Sequence, residues 1–426
     1  MAAYKAWSGV DAWLAGPAER ASVAPRRLSS RAYAAARNSR LTAGWSTPND
    51  SADSQLSASL MALRSRSRAL IRDNSYAKRA KVVVVNNVIG TGIGMQARVE
   101  NQRGKLIDTV NDDIEAAFEE WSRAENCHTG GKLCFADLER MATGEVFDAG
   151  EILIRKHYRA FGSSRIPLAL EVIEAERLAD EWTVPGPTNI SNDVRLGVEM
   201  DGFGRPVAYW IRMKHPGDLR TNSYAADRLE RVPADQIIHL HIVDRWPQCR
   251  GEPWLHTAAR RLNDMDGYSE AEIVAARGAA SYMGIIKSAD PGSALTDEPP
   301  AAEGEQPTFD LEPGAVERLA FGEEFELVAP NRPNPNMDPF MRLMLREVAA
   351  GTGVSYESIS RDYAQSNYSS SRLSLLEDRD VWRVPQQWFI RSFRAELHRE
   401  WLQAAVLSRA IESIAPDRTA ACSHSR

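Results

Sequence analysis

Apolar positions in the first third of the chain repeat at helical spacing. Leu56, Leu60, Leu63, Leu70 and Ile71 share one face of a predicted helix, while Arg64, Arg68 and Arg72 lie off it. Asn74 and Ser75 punctuate the pattern, and Ser75 reads as the N-cap of a second helix through Val85. Thr109–Arg123 and Phe135–Gly144 predict two more helices. From Gly150 the period shortens to two. Val194, Leu196, Val198 and Met200 alternate with Arg195, Gly197, Glu199 and Asp201, as one half-buried strand would, and Asp201-Gly202-Phe203-Gly204 turns it back into Val207–Met213. Ile152–Ile154, Leu168–Ile173 and Gln236–Val243 are further strand candidates. Pro253–Ser281 is helical again, with proline at its tolerated first position. Helices first and strands after, without βαβ alternation, predict an α+β body.

The last third has a different rhythm. Residues 289–336 are rich in Pro, Gly and acids, with two short strand candidates, Ala315–Ala320 and Glu324–Val328. Met337–Ala350 is dense in helix formers. A polar bridge, Gly351–Ser371, leads to a long helical segment carrying Leu373, Leu376, Trp382, Trp388, Phe393, Leu397 and Trp401 at roughly helical spacing. Pro385 lies inside that segment and predicts a kink, because it removes one backbone bond and clashes with the preceding turn.

At 426 residues the chain is long enough for two or three folding units, and 43% hydrophobic residues supply a core. No apolar run reaches the roughly 18 residues that span a bilayer. Val82–Met95 comes nearest and is broken by Asn86, Asn87 and glycines. Asp11 interrupts the would-be apolar core of a secretory signal. Four cysteines in so long a chain make no disulfide framework, so a soluble protein maturing in a reducing cell is expected, with no membrane partner. The net charge of −6 conceals a strong asymmetry. Residues 1–81 hold 14 Lys and Arg against 5 Asp and Glu, whereas residues 289–330 hold 11 Asp and Glu against Arg318. Surfaces of opposite sign imply partners of opposite sign.

Candidate chemistry is thin. Gly90-Thr91-Gly92-Ile93-Gly94 resembles part of a dinucleotide fingerprint, but such a motif must follow a strand, and here a helix precedes it. His128-Thr129-Gly130-Gly131-Lys132 lacks both the upstream glycine and the hydroxyl residue that a phosphate loop needs. Cys127, His128 and Cys134 miss zinc-ribbon spacing. His239 and His241 share one face of a strand and are expected to be exposed. No nucleophile–base set or carboxylate pair stands out, so no enzyme, metal or cofactor is expected.

Three segments together resemble the lambda-like family of tailed-phage portal proteins: Ser65–Arg98 (SRSRALIRDNSYAKRAKVVVVNNVIGTGIGMQAR), Ile237–Leu255 (IIHLHIVDRWPQCRGEPWL) and Arg346–Glu377 (REVAAGTGVSYESISRDYAQSNYSSSRLSLLE). The resemblance spans roughly residues 30–410. It implies an N-terminal arm (1–55), a wing (56–250), a first stem helix (251–288), a clip (289–336), a second stem helix (337–357), a channel loop (358–370), a long kinked wing helix (371–410) and a tail (411–426) with the crown short or absent. It further implies a ring of about twelve copies at a capsid vertex, assembled in the host cytoplasm. Double-stranded DNA passes through that ring without sequence readout, driven by the terminase large subunit. Tail adaptors bind the clip later, and the arm meets capsid or scaffold protein.

A pore must let a duplex with about one negative charge per 1.7 Å slide without sticking. The loop meets that demand, because Asp362, Tyr363, Gln365, Ser366, Asn367, Tyr368 and Ser369 include no positive charge, and Arg361 and Arg372 flank them. Asp310, Glu312, Glu317, Glu323, Glu324 and Glu326 are candidates for contact with terminase or an adaptor. The rival readings are another head–tail connector or capsid-interaction protein, and a dinucleotide-dependent enzyme built on Gly90–Gly94.

Overall fold

The computed structural model describes residues 40, 44–45, 48–184, 192–218, 228–281, 285–288, 323–326, 334–364 and 367–414. The chain divides into two compact units, Met1–Asp50 and Ser51–Arg426. All elements named here belong to the second. In chain order they are α1 (Ala52–Ser57), α2 (Leu60–Asp73), α3 (Ser75–Val88), α4 (Asp108–Trp121), α5 (Ala124–Cys127), α6 (Phe135–Ala149), β1 (Glu151–His157), β2 (Ala169–Ile173), β3 (Asp193–Arg195), β4 (Val198–Met200), β5 (Pro206–Arg212), β6 (Leu229–Pro233), β7 (Ile237–His241), α7 (Ala259–Ser281), β8 (Ile285–Ser288), β9 (Glu323–Glu326), α8 (Met337–Thr352), α9 (Tyr356–Ser360), α10 (Tyr368–Phe389), a π turn (Ile390–Arg394) and α11 (Ala395–Leu407). The expected mixed α+β body is present. The strand candidate Ala315–Ala320 lies outside the described residues.

Two antiparallel sheets sit back to back. One has the order β2-β1-β7, the other β3-β4-β5-β6, and β8 pairs with β9 apart from both. Alternation along β1 explains why the first sheet has a core on each face. Ile152 and Ile154 join the helical core with Leu170, Ile238 and Leu240. Leu153, between them, faces the second sheet through Ile173, Leu196, Val198, Tyr209 and Ile211. The helical core is aromatic. Phe118 meets Trp401 edge-on at 5.0 Å, and Phe135 stacks on Phe393 at 5.9 Å. The Trp121 indole N–H donates to the Leu168 carbonyl at 2.7 Å, which locks α4 to the start of β2.

Several expectations need correction. The alternating run from Val194 to Met200 is two strands. Leu196 (φ 50°) and Gly197 (φ 83°) both adopt positive φ, as a two-residue type I′ turn requires, so Arg195 pairs with Val198. The helix expected to start after a Ser75 cap is capped by Asn74, whose side chain accepts from the N–H groups of Tyr76 and Ala77. The helix from Phe135 runs through Gly144 to Ala149. Strand β6 had no clear alternation to announce it. Among the periodic apolar residues of the last long segment, Phe393, Leu397 and Trp401 are buried, but Leu373 and Leu376 are exposed.

The largest correction concerns charge. Arg64 is buried, not on an outer face, and His239 and His241 are packed rings 4.2 Å apart rather than exposed ones. They surround Glu151, a fully buried carboxylate at the first residue of β1. Glu151 accepts from Arg250 (2.7 Å), His239 (3.0 Å), the Gly251 N–H (2.8 Å) and Arg64. Arg64 also donates to the Ala149 carbonyl (3.1 Å) and Asp180 (3.1 Å). Arg250 also donates to the Leu196 carbonyl (2.6 Å) and Asp180 (2.7 Å). One buried network therefore ties α2, the end of α6, β1, the β3–β4 turn, β7 and the 250 loop together. Burial acts to raise the Glu151 pKa, but Arg250 and Arg64 outweigh it and hold the carboxyl well below the usual carboxylate range. Burial lowers the His241 pKa to about 3, so that ring is neutral.

The turn Arg250-Gly251 completes the junction. A Cβ on Gly251 would lie 2.1 Å from the Gly150 carbonyl oxygen, and a Cβ on Gly150 (φ 89°) would lie 2.3 Å from the Glu252 backbone. Two backbones touch here, which is why glycine stands on both sides.

Glu151→Gln removes the buried carboxylate between two buried guanidiniums and leaves them to share Asp180, whose side chain is partly exposed. We expect a loss of about 3–5 kcal/mol in urea unfolding at neutral pH. Because the folded pKa is depressed, the Glu151 contribution is complete above the unfolded value of about 4.3 and is lost as pH falls through the folded one. The variant's stability should therefore fall less steeply in acid than that of the native protein, and equal slopes would contradict this assignment.

Candidate nucleic-acid interface

Helix α8 ends because Gly353 adopts the left-handed conformation (φ 68°), so the helix stops at Thr352 rather than at 357. The polar bridge that follows is not polar throughout. Val354 and Ile359 are each 2% exposed and sink into the helical core, Val354 just before α9 and Ile359 from within it. Ser355 donates its hydroxyl proton to Asp378 on α10 (2.9 Å), and the Ser358 carbonyl accepts from Arg79 on α3 (3.0 Å). Because α9 occupies Tyr356–Ser360 and α10 starts at Tyr368, residues 358–360 and 368–370 of the expected loop 358–370 are helical.

Asp362 shapes that segment. Its carboxylate accepts from the Tyr356 hydroxyl (3.1 Å) and the Ala364 N–H (3.0 Å), and Arg342 on α8 lies 3.5 Å away. Its own N–H donates to Ser360 Oγ (3.1 Å). The Ala364 N–H, the Tyr356 hydroxyl and the Arg342 charge lower its pKa, so it is ionised at neutral pH. Asp362 thus pins the loop to the neighbouring helix, and the Arg346 guanidinium sits over the Tyr356 ring at 5.6 Å to brace the same corner. Sequence reasoning missed Tyr356, Arg342 and the buried anchors Val354 and Ile359. The only signal for the anchors was two lone apolar residues in a polar stretch.

Around this corner Arg361 (φ 60°), Tyr363, Asn367 and Arg372 are exposed, and the Tyr363 ring is 53% accessible. Tyr368 and Ser369 form the first turn of α10. Gln365 and Ser366 lie outside the described residues. Of the acidic candidates, Glu323, Glu324 and Glu326 are on β9, where Lys287 of β8 is the register partner of Glu324. Asp310, Glu312 and Glu317 lie outside the described residues. Pro385 sits within α10 without ending it, and the backbone irregularity falls further on, at the π turn Ile390–Arg394.

The glycines at 90–94 follow helix α3, not a strand, which removes the local setting a dinucleotide site needs. Gly90 and Gly92 instead exit the helix with positive φ, and a Cβ on Gly92 would lie 2.9 Å from the Ala136 methyl. Cys127 is buried and its thiol donates to the Ser122 and Leu133 carbonyls, while the Cys134 thiol donates to Asp137.

Asp362→Ala removes the acceptor that orders the loop. Trypsin should cleave after Arg361 several-fold faster, while global stability changes by only about 1 kcal/mol because the site is at the surface. An unchanged cleavage rate would show that the loop is held by other contacts.

The profile described as phage portal protein, lambda family, matches residues 16–386. A probable portal protein of Halomonas phage phiHAP-1 is 28% identical over 409 residues, covering 93% of this chain and 77% of that protein. Portal protein B of Escherichia phage lambda is 22% identical over 404 residues, covering 86% and 73%. Among solved structures, a chain in the neck of an empty GTA particle overlaps with a TM-score of 0.44 at 16% identity, covering 74% of each chain. A chain of a native GTA (gene transfer agent) virion overlaps with a TM-score of 0.43 at 15% identity, covering 79% of this chain and 81% of that one. With its sequence matched along most of its length, this chain belongs to the lambda family of phage portal proteins, non-enzymatic structural components of the virion.

Proposed function

We propose that copies of this chain form a ring of about a dozen subunits at one capsid vertex and conduct double-stranded DNA through its centre during packaging and ejection. Family membership supports this reading, and one local observation carries the channel assignment. Between α9 and α10, Tyr363 and Asn367 are exposed, while Asp362, the single carboxylate in the sequence 361–367, is turned back onto the body. Such a lining neither grips phosphates with a comb of cations nor reads base edges, so a duplex can slide past it. Arg361 and Arg372 flank it and contribute a few phosphate contacts or pair with neighbouring subunits.

In this reading residues 1–55 are the arm, 56–250 the wing, 251–288 and 337–352 the two stem helices, and 289–336 the clip. The helix from 368 then carries the chain back to the wing past Pro385. The terminase large subunit docks on the clip during packaging, a tail adaptor replaces it, and the arm meets capsid or scaffold protein. The surplus of acid in 289–330 is the surface we assign to terminase or the adaptor, since like charges crowded in a ring need compensating partners.

Three results are expected. Negatively stained, purified protein shows rings with a central hole, and a protein that stays monomeric at every salt concentration contradicts the reading. Deleting Asp362–Ser370 leaves rings intact but reduces packaged DNA at least tenfold in a packaging assay, and normal titres remove the channel role. Reversing the charges of Glu323, Glu324 and Glu326 weakens capture of the terminase large subunit, and unchanged capture moves that contact elsewhere.

A further inference from the structure

Helix α10 is apolar on two opposite sides. On the inner side Trp382 and Phe389 are buried, Asp378 holds Ser355, and the Gln386 amide donates to the Asn87 carbonyl at 2.6 Å. Helical spacing places Leu373, Leu376 and Val384 on the other side, where they are 60%, 50% and 69% exposed. A helix with apolar residues on both sides is one that is covered on both sides.

A second bare surface lies on the α7–α8 pair. The two helices run antiparallel, as the contacts Arg261–Glu347 (2.8 Å) and Asn334–Glu272 (3.0 Å) show. Beyond Met265, none of the described α7 side chains is buried, and none on α8 before Leu345. Toward this end the helices hold one another through Tyr268 against Phe340 (4.8 Å) and Ser269 beside Met341 (3.9 Å). Ile273, Val274 and Leu343 remain about half exposed. Two helices with so little core are marginal unless something packs on them.

We propose that these two surfaces are the two halves of one contact between subunits, the Leu373-Leu376-Val384 stripe of one copy seated on the Ile273-Val274-Leu343 surface of the next. The inference rests on the ring reading. In a ring of more than two identical subunits every contact joins two different surfaces, so each chain must present a donor face and an acceptor face. The described residues present two such uncovered apolar faces on separate elements. Two charged pairs beside these faces are already closed within the chain, Arg383 with Asp380 (2.9 Å) and Arg342 with Asp338 (3.0 Å). The contact is therefore driven by apolar burial and resists salt.

Two full-length double variants test the pairing: Leu376→Glu with Val384→Glu, and Ile273→Glu with Leu343→Glu. All four positions are exposed and glutamate is a good helix former, so each chain should fold, as circular dichroism and a thermal midpoint within a few degrees of the native protein would show. Native mass spectrometry then reads the assembly. Each variant alone should lose the ring and give single chains. Mixed one to one, they should give a heterodimer and nothing larger, because each retains the face the other lacks. Leu376→Met with Val384→Ile, which keeps the stripe apolar, should restore the ring. Rings from either glutamate variant, homodimers of either, or a mixture that stays monomeric would overturn the pairing. If the native protein forms rings while these variants do too, only the contact fails; if the native protein forms none, the ring reading fails with it.

Discussion

One carboxylate with two guanidiniums organises the middle of this protein. Glu151 opens β1 at the point where the helical layer, the three-stranded sheet and the four-stranded sheet meet. Ions taken out of water are costly unless their partners are placed well, and here the partners come from several separate segments. Arg64 brings α2, Arg250 and Gly251 bring the chain that enters α7, and Asp180 and the Leu196 carbonyl bring the second sheet. A network so dispersed forms only when all its segments are in register, so it specifies one arrangement of the layers as well as stabilising it.

That junction also sets where the candidate channel region begins. The Gly150–Gly251 backbone contact fixes the exit of the 250 loop, and Trp254 then donates to the Thr352 carbonyl (2.9 Å), joining the root of α7 to the end of α8. Gly353 turns the chain, Val354 and Ile359 anchor it, and Asp362 ties the remaining loop back to α8. The exposed residues 361, 363 and 364 thus follow directly on a firmly held corner.

The sequence was most legible where periodicity was strong. Helices α2–α4, the β4–β5 hairpin and the long C-terminal segment lie where apolar spacing placed them, and three short segments were enough to point to the family. It misled where one residue type serves two ends. Arg64 and His239 read as surface residues because nothing local reveals a buried carboxylate some ninety positions away. Alternation through Val194–Met200 hid a tight turn: the register pairs Val194 with Glu199 and Arg195 with Val198, so Val194 faces away from Val198 and Met200 although the spacing is unbroken. Leu373 and Leu376 looked like core because spacing reports that a face is apolar, not which molecule covers it. At the candidate channel the polar composition was visible, whereas the clamp of Tyr356, Arg342 and Asp362 depends on packing that spacing does not encode.

The most direct measurement is an electron cryomicroscopy map of the purified assembly at a resolution that traces side chains. Residues 361–367 should form the narrowest part of a central opening wide enough for duplex DNA, with Tyr363 nearer the axis than any residue of the β3–β6 sheet. A map in which this segment is buried between subunits, or faces the outer rim, would contradict the channel assignment.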